Sequence, residues 1–414
     1  MFAYLRQKVA VIKELGFRRL ALLPIATSMV IVLLLLSKIM NVKVHQAQNS
    51  RIGHFTIPMA LRFFELSNGN DSLRTRGINI YAVRSVKSAN VQLEKMWKRT
   101  VPLISGNLGW LIVNLFERIP KNQVCVETTD CDRNGLLIQY PPCLTFKPDE
   151  IELGTNFLNK LGLESGQKFV CLLIRDSSYL AQSWNFFGYS QGHDWSHHDY
   201  RNSDISTYVD AAEALADMGY MVFRMGAIVE KPLNSKHPRV IDYATNGMRT
   251  EFLDIYLGAH CTFCVSTGSG WDSIPQIFRR PSLYVNLLPV FSHECVVRDL
   301  LIYPKILQDR LTKNDLGLDE IMKRDIERKH ETHYYDSAGV ECREMNSREL
   351  VQAVTEMAAR VEGNLAETPE QKQMQAKLRH IFSTHPKLQP THNYYSIRAE
   401  FASCFLSNYP DFLD

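Results

Sequence analysis

From residue 168 onward the chain alternates short apolar runs with amphipathic stretches, the pattern of a sheet wrapped by helices. Residues 168–174 (KFVCLLI) are apolar nearly throughout and predict a strand buried on both faces. In the stretch 206–218, apolar residues recur at three- and four-residue steps (Ile205, Tyr208, Val209, Ala212, Leu215, Ala216), which predicts a helix. Ser203 or Asp204 can cap its start, and Gly219 ends it. Strands follow at 220–224, 239–243, 261–265 and 283–286, with helices at 250–257 and 272–278. This alternation predicts a parallel, doubly wound sheet. Ligands of such sheets bind beyond the carboxyl ends of the strands, here the loops after Ile174, Phe223 and Val265.

The first half carries a weaker version of the same alternation. Strands are expected at 41–44 and 78–83 (INIYAV), and helices at 56–66, 89–100 and 108–118. Tyr140-Pro141-Pro142-Cys143 and Pro148 interrupt regular structure and suggest a linker. The fold class is therefore α/β, with two Rossmann-like domains at 41–147 and 148–365. An apolar segment at 1–40 precedes them, and a helical, polar tail at 366–414 follows, with helices at 369–382 and 396–406.

Residues 20–37 (LALLPIATSMVIVLLLLS) are almost uninterrupted apolar, near the minimum needed to cross a bilayer. Arg6, Lys8, Lys13, Arg18 and Arg19 precede the run and Lys38 and Lys43 follow it, so charge does not fix an orientation. No small-residue cleavage site follows, which argues against a signal peptide. A single span, a helix lying on the membrane and a buried helix of the first domain all fit the pattern.

Composition narrows the class. The chain has 414 residues and a net charge of +3, without the basic field that a nucleic-acid partner requires. Its nine cysteines are odd in number and irregularly spaced, which speaks for a reducing compartment rather than a disulfide framework. Cys261 and Cys264 form a lone C-x-x-C inside an apolar run and read as packing.

Three places could carry chemistry in the second half. Ser266-Thr267-Gly268-Ser269-Gly270 follows a strand and opens a helix, an arrangement whose free amides suit an anion, or alternatively a capped tight turn. It is neither a Walker loop nor a G-x-S-x-G elbow. Arg175-Asp176 follows the strand 168–174, and Arg224 followed by Gly226 sits at the end of the next. Two arginines there could clamp a diphosphate, or form structural ion pairs. The segment 193–204 gathers histidines, acids and an arginine without a standard metal-ligand spacing. A polar loop is the preferred reading, with Arg201 neutralising phosphate and His198 beside it. In the first half, Arg51, Gly53 and His54 precede a helix; His54 has the pKa range of a general base near neutral pH, or is a solvated surface histidine.

The strings RIGH (51–54), RDSSYL (175–180), HDYRNSDI (198–205), GYMVFRMG (219–226) and STGSG with IPQIFRRP (266–281) occur in this order, and the tail reads FLSNYPDFL. In these the chain resembles a family of bacterial proteins described as glycosyltransferases of surface-polysaccharide clusters, over about residues 40–410. The resemblance implies a GT-B-like arrangement, with the acceptor domain at 41–147 and the donor-binding domain at 148–365. It implies transfer of a sugar from a nucleotide-sugar donor to a cell-envelope glycan or lipid-linked acceptor, without cofactor or metal. The E-x-x-x-x-x-x-E pair of the common retaining group is absent, which favours inversion. Because nucleotide sugars are made in the cytosol, the catalytic domains are expected on the cytoplasmic side of the membrane contacted by residues 20–37. A sugar-nucleotide epimerase of the same fold and a non-catalytic scaffold of polysaccharide assembly are the alternatives.

Overall fold

The computed structural model describes residues 2–68, 77–120, 122–128, 132, 135–163, 166–183, 193–290, 300–387 and 400–414. The side chains of residues 2–15, 17 and 68 lie outside that description, as do Cys131, Cys295 and the start of the helix expected at 396. The chain divides into two compact units, Met1–Cys131 with Cys143–Thr145, and Asp132–Pro142 with Phe146–Asp414.

In the first unit the elements are α1 (Phe2–Leu36), β1 (Asn41–Ala47), α2 (Ile52–Asn68), β2 (Gly77–Val83), α3 (Val91–Thr100), β3 (Leu103–Ile104), α4 (Gly106–Glu117) and β4 (Cys125–Glu127). The strands form a four-stranded parallel sheet in the order β3-β2-β1-β4. Alternation along each strand sends side chains to two layers. Val42, Val44 and Ala82 pack with Ala26, Val30 and Leu33 of α1 and Leu111, Ile112 and Phe116 of α4. On β1 the neighbouring His45 lies 5.0 Å from the Tyr81 ring and close enough to Arg62 of α2 for that charge to act on it. Helix α1 breaks at Gly16, whose φ of 66° is left-handed. Beyond it, Arg18–Leu36 is long and apolar enough to cross a membrane.

The second unit begins with α5 (Leu136–Gln139) and α6 (Pro148–Lys160), then β5 (Phe169–Leu173), α7 (Ser178–Gln182), α8 (Val209–Asp217), β6 (Met221–Met225), β7 (Val240–Ile241), α9 (Glu251–His260), β8 (Phe263–Ser266), α10 (Ser273–Ile277) and β9 (Ser282–Leu287). It continues with β10 (Leu300–Pro304), β11 (Ile306–Asp309), α11 (Leu318–Lys323), α12 (Thr332–Ser337), β12 (Val340–Arg343), α13 (Ser347–Val361), α14 (Pro369–Thr384), β13 (Glu400–Phe401) and α15 (Ser403–Asn408). Seven strands form a parallel sheet in the order β13-β10-β9-β8-β5-β6-β7. Both faces are covered, as the continuous apolar runs require. Val170, Leu172, Val222 and Val265 share a core with Ala212 and Leu215 of α8 and Leu350 and Val354 of α13. The alternate residue Phe223 instead meets Phe157 of α6.

The order reverses between β5 and β8: β6 and β7 lie on one side of β5, and β8, β9 and β10 on the other. A crevice at the carboxyl ends is expected at such a reversal. Asp204 caps the 3-10 turn Ile205–Tyr208 by accepting from the Ser206 amide at 3.1 Å, and α8 follows directly. Gly219, with φ of 96°, ends that helical region as its sequence indicates.

Several elements differ from expectation. Cys261 belongs to the C-cap of α9, its Sγ donating to the Gly258 carbonyl, and the strand starts at Phe263. Pro148 opens α6 rather than a linker, since a first-turn proline has no helical hydrogen bond to lose. The C-terminal segment is more than a polar tail: β13 extends the sheet, and Phe401, Phe405 and Phe412 are buried in the core.

Candidate functional site

The carboxyl ends of β5 and β8 are joined through Arg175. Its amide donates to Thr267 Oγ1 at 2.9 Å, and its carbonyl accepts from the Ser203 amide at 3.0 Å. Three loops predicted to carry the site, after Ile174, after Val265 and at 193–204, therefore meet at one residue.

Both Arg175 and Arg201 are half-buried, and the Nε of each is buried without a hydrogen-bond partner among the described residues. Burial, and then the neighbouring positive charge of Arg201, lower the Arg175 pKa to about 10. Tyr200, Asp176 and Asp199 oppose this only with smaller charge effects. Arg201 is braced by His198, whose Nδ1 lies 3.2 Å from Nη2, and by the Tyr200 ring at 5.5 Å. The backbone of this 3-10 turn (Ser196–Arg201) is pinned to α12: Tyr200 N–H donates to Thr332 Oγ1, which donates in turn to the Ser196 carbonyl at 2.8 Å. His198 and His197 stack on Trp195, so these rings pack as a layer. Among the described residues no group of three or more His, Cys, Asp or Glu is placed to hold a metal ion.

The Ser266–Gly270 loop is built differently from a helix-start anion site. The Thr267 amide continues the ladder to Leu173, the Gly268 amide donates to Ser266 Oγ, and the Ser269 amide donates to Asp272 Oδ2 at 2.8 Å. Ser266 Oγ also donates to Asp272 Oδ2. Three amides expected to point at a ligand are thus satisfied by the protein itself, one by the neighbouring strand and two within the turn. The following helix α10 has only five residues, too short for a useful macrodipole. The positive character of this rim comes from guanidinium groups instead. Asp272, which no motif singled out, is the buried organiser of the loop; burial raises its pKa to about 6 against the pull of the Ser269 amide. The spacing Ser269-x-x-Asp272 is a readable capping box and was its signal.

Three further expectations change. Arg224 is fully buried; its Nη1 donates to Asp242 Oδ1 at 3.1 Å and its Nη2 to the Lys231 carbonyl. Its charge is met inside the unit and does not join Arg175. Asp176 accepts from the Ser178 and Glu230 amides, one on each oxygen, and so fastens the loop after β5 to the loop after β6. Gly226 serves packing: a Cβ there would come within 2.4 Å of Val229 Cγ1.

Beside Arg175 lies a cavity of about 210 Å³ whose lining includes Asp176, Asn202, Asp204, Glu230, Lys231 and Glu344. Its lining residue Asn202 is held by the buried Lys305, which donates to the Asn202 carbonyl at 2.7 Å. Four carboxylates make the cavity rich in acceptors for hydroxyl groups.

In the first unit, Arg51 immediately precedes α2, and Gly53 and His54 lie in its first turn. His54 is exposed. The buried histidine of this unit is His45, whose Nε2 lies 2.9 Å from Asn79 Oδ1.

No family model and no curated protein matches the chain. Among solved structures it is similar to the E. coli ADP-heptose lps heptosyltransferase II, at 13% identity and a TM-score of 0.36, covering 63% of this chain and 90% of that one. It is also similar to a variant of the wall teichoic acid polymerase TagF, at 12% identity and a TM-score of 0.26, covering 79% and 91%. Likenesses at this level leave the case for function with the chain's own residues.

Proposed function

We propose that the protein is a membrane-associated glycosyltransferase of GT-B type, with a nucleotide-sugar donor held in the second unit. One observation carries the reading. Arg175 and Arg201, unpaired with any described carboxylate, stand together at the strand-order reversal, where burial and then the positive charge of Arg201 lower the Arg175 pKa. A diphosphate relieves the repulsion between the two charges and accepts the guanidinium donors. Thr267 and Ser269 hold the adjoining loop, and His198 orients Arg201. The carboxylate-lined cavity accepts hydroxyl groups of the donor.

The proposed reaction is a direct, inverting displacement without a metal. A hydroxyl of a cell-envelope glycan or lipid-linked acceptor attacks the anomeric carbon, the glycosidic bond to the diphosphate breaks, and His54 takes the acceptor proton. Arg175 and Arg201 stabilise the charge on the departing diphosphate. Arg51 and Gly53 belong to the acceptor side, and both units face the cytoplasm, where nucleotide sugars are made.

Calorimetry with a panel of nucleoside diphosphates tests this. Arg175→Ala and Arg201→Ala should each weaken binding by about tenfold or more. His54→Ala should leave donor affinity intact and lower turnover by roughly a hundredfold. Unchanged affinity after removal of Arg175 discards the donor site.

A further inference from the structure

We propose that helix α1 lies in the plane of an anionic membrane surface and does not cross it. Two sides of the helix have different fates. Ala26, Val30 and Leu33 are buried against the first unit's sheet and α4. Pro24, Ile25, Ser28, Ile31, Val32 and Leu35 form the opposite stripe and are exposed, Leu35 by 64%. Their three- and four-residue steps keep them on one side over the whole apolar stretch. The mostly exposed surface excludes the ordinary buried core helix.

Crossing is excluded by attachment at both ends. At the start, Arg19 Nε donates to Asn107 Oδ1 at 3.1 Å, and its guanidinium sits 4.5 Å over the Trp110 ring. At the end, Leu36 packs on the same core, and β1 begins at Asn41. The 19 residues Arg18–Leu36 extend about 28 Å, so a crossing helix would draw β1 and α4 into hydrocarbon. An open sheet edge is not tolerated there, because its backbone groups find no partners.

Charge selects the lipid. The first 43 residues contain seven Lys and Arg against one acidic residue, Glu14, a net of +6. The whole chain nets +3, so the remainder nets −3. Arg19 and Lys43 are held by the protein; the other basic residues flank an apolar stripe in sequence, a pattern that suits acyl chains beneath anionic headgroups. The inference deepens the membrane part of the proposed function and is independent of sugar transfer.

The test is flotation of the full chain with vesicles of phosphatidylglycerol and phosphatidylethanolamine, against phosphatidylcholine alone. The protein should float with the anionic vesicles, and Ile25→Ser/Ile31→Ser/Leu35→Ser should reduce partition by about tenfold or more without altering the thermal transition. Tags at the two ends of the chain, probed by protease in native membrane vesicles, should be cut from the same side. Tags on opposite sides overturn the proposal, as does equal flotation with both lipids or by the triple variant. A dimer dissolved by the triple variant, with no vesicle capture, would assign the stripe to a second copy and also overturn it. Nucleoside diphosphate calorimetry on the same samples shows separately whether the donor site stands.

Discussion

Arg224 sits one residue before the end of β6, fully buried, and its charge is met by Asp242 at 3.1 Å. Arg175 lies two residues beyond the end of β5, half-buried, and the largest charge effect on it comes from another arginine. The same residue type therefore has opposite consequences at neighbouring strands. Arg224→Ala should leave Asp242 uncompensated and cost roughly 3–5 kcal/mol, as broken buried ion pairs do. Arg175→Ala removes a repulsion, so its stability should stay within about 1 kcal/mol of wild type while nucleotide binding is lost. Urea denaturation beside calorimetry checks both. Loss of stability at Arg175 and none at Arg224 would reverse the assignment. Nothing in the sequence distinguishes these two arginines. Asp242, Arg224's partner, is eighteen residues downstream on the far side of β7 and becomes visible only once the chain folds back.

The strand-order reversal is the element that concentrates the site, and its parts were readable because β5 and β8 are apolar on both faces. A strand of that kind ends abruptly, so the polar loop after it stands out. What could not be read was how each loop spends its hydrogen bonds. Ser, Thr and Gly after a strand serve a ligand or a closed turn equally well, and here Asp272 draws the Ser266 hydroxyl and Ser269 amide inward. At 193–204 the residue types were legible as polar, but the support from Thr332, over 130 residues away, has no local signal. Gly268 probes the loop as an element. Its φ is 81°, and an added Cβ would meet Leu287 Cδ1 at 3.1 Å. Gly268→Ala should cost about 1 kcal/mol or more. It should also displace Thr267, which holds the Arg175 amide, and so weaken nucleotide binding. A shift in the thermal midpoint with unchanged affinity would show that the loop and Arg175 move independently.

At the scale of the molecule, the two units hold their buried titratable groups in opposed combinations. In the first unit His45 is neutral: burial, only partly offset by its hydrogen bond to Asn79, lowers its pKa to about 4. The unfolded chain takes a proton near 6.5, so folding stability contributed here is present above that pH and is lost as pH falls from 6.5 toward 4. Between pH 7 and 5 the loss amounts to roughly 2 kcal/mol. The second unit contains Asp254 and Asp272, both raised to about 6 by burial. For these acids the folded state binds the proton more tightly, so stability is regained as pH falls through 6. His260 and His330, lowered by burial, act against that gain. Acidification should therefore weaken the first unit selectively. Hydrogen exchange read separately on β1 and β5 amides, corrected for intrinsic rates, should show protection falling at β1 and little changed at β5. His45→Gln, which keeps a donor for Asn79, should flatten the β1 response. An unflattened response would place the sensitive proton elsewhere in the first unit.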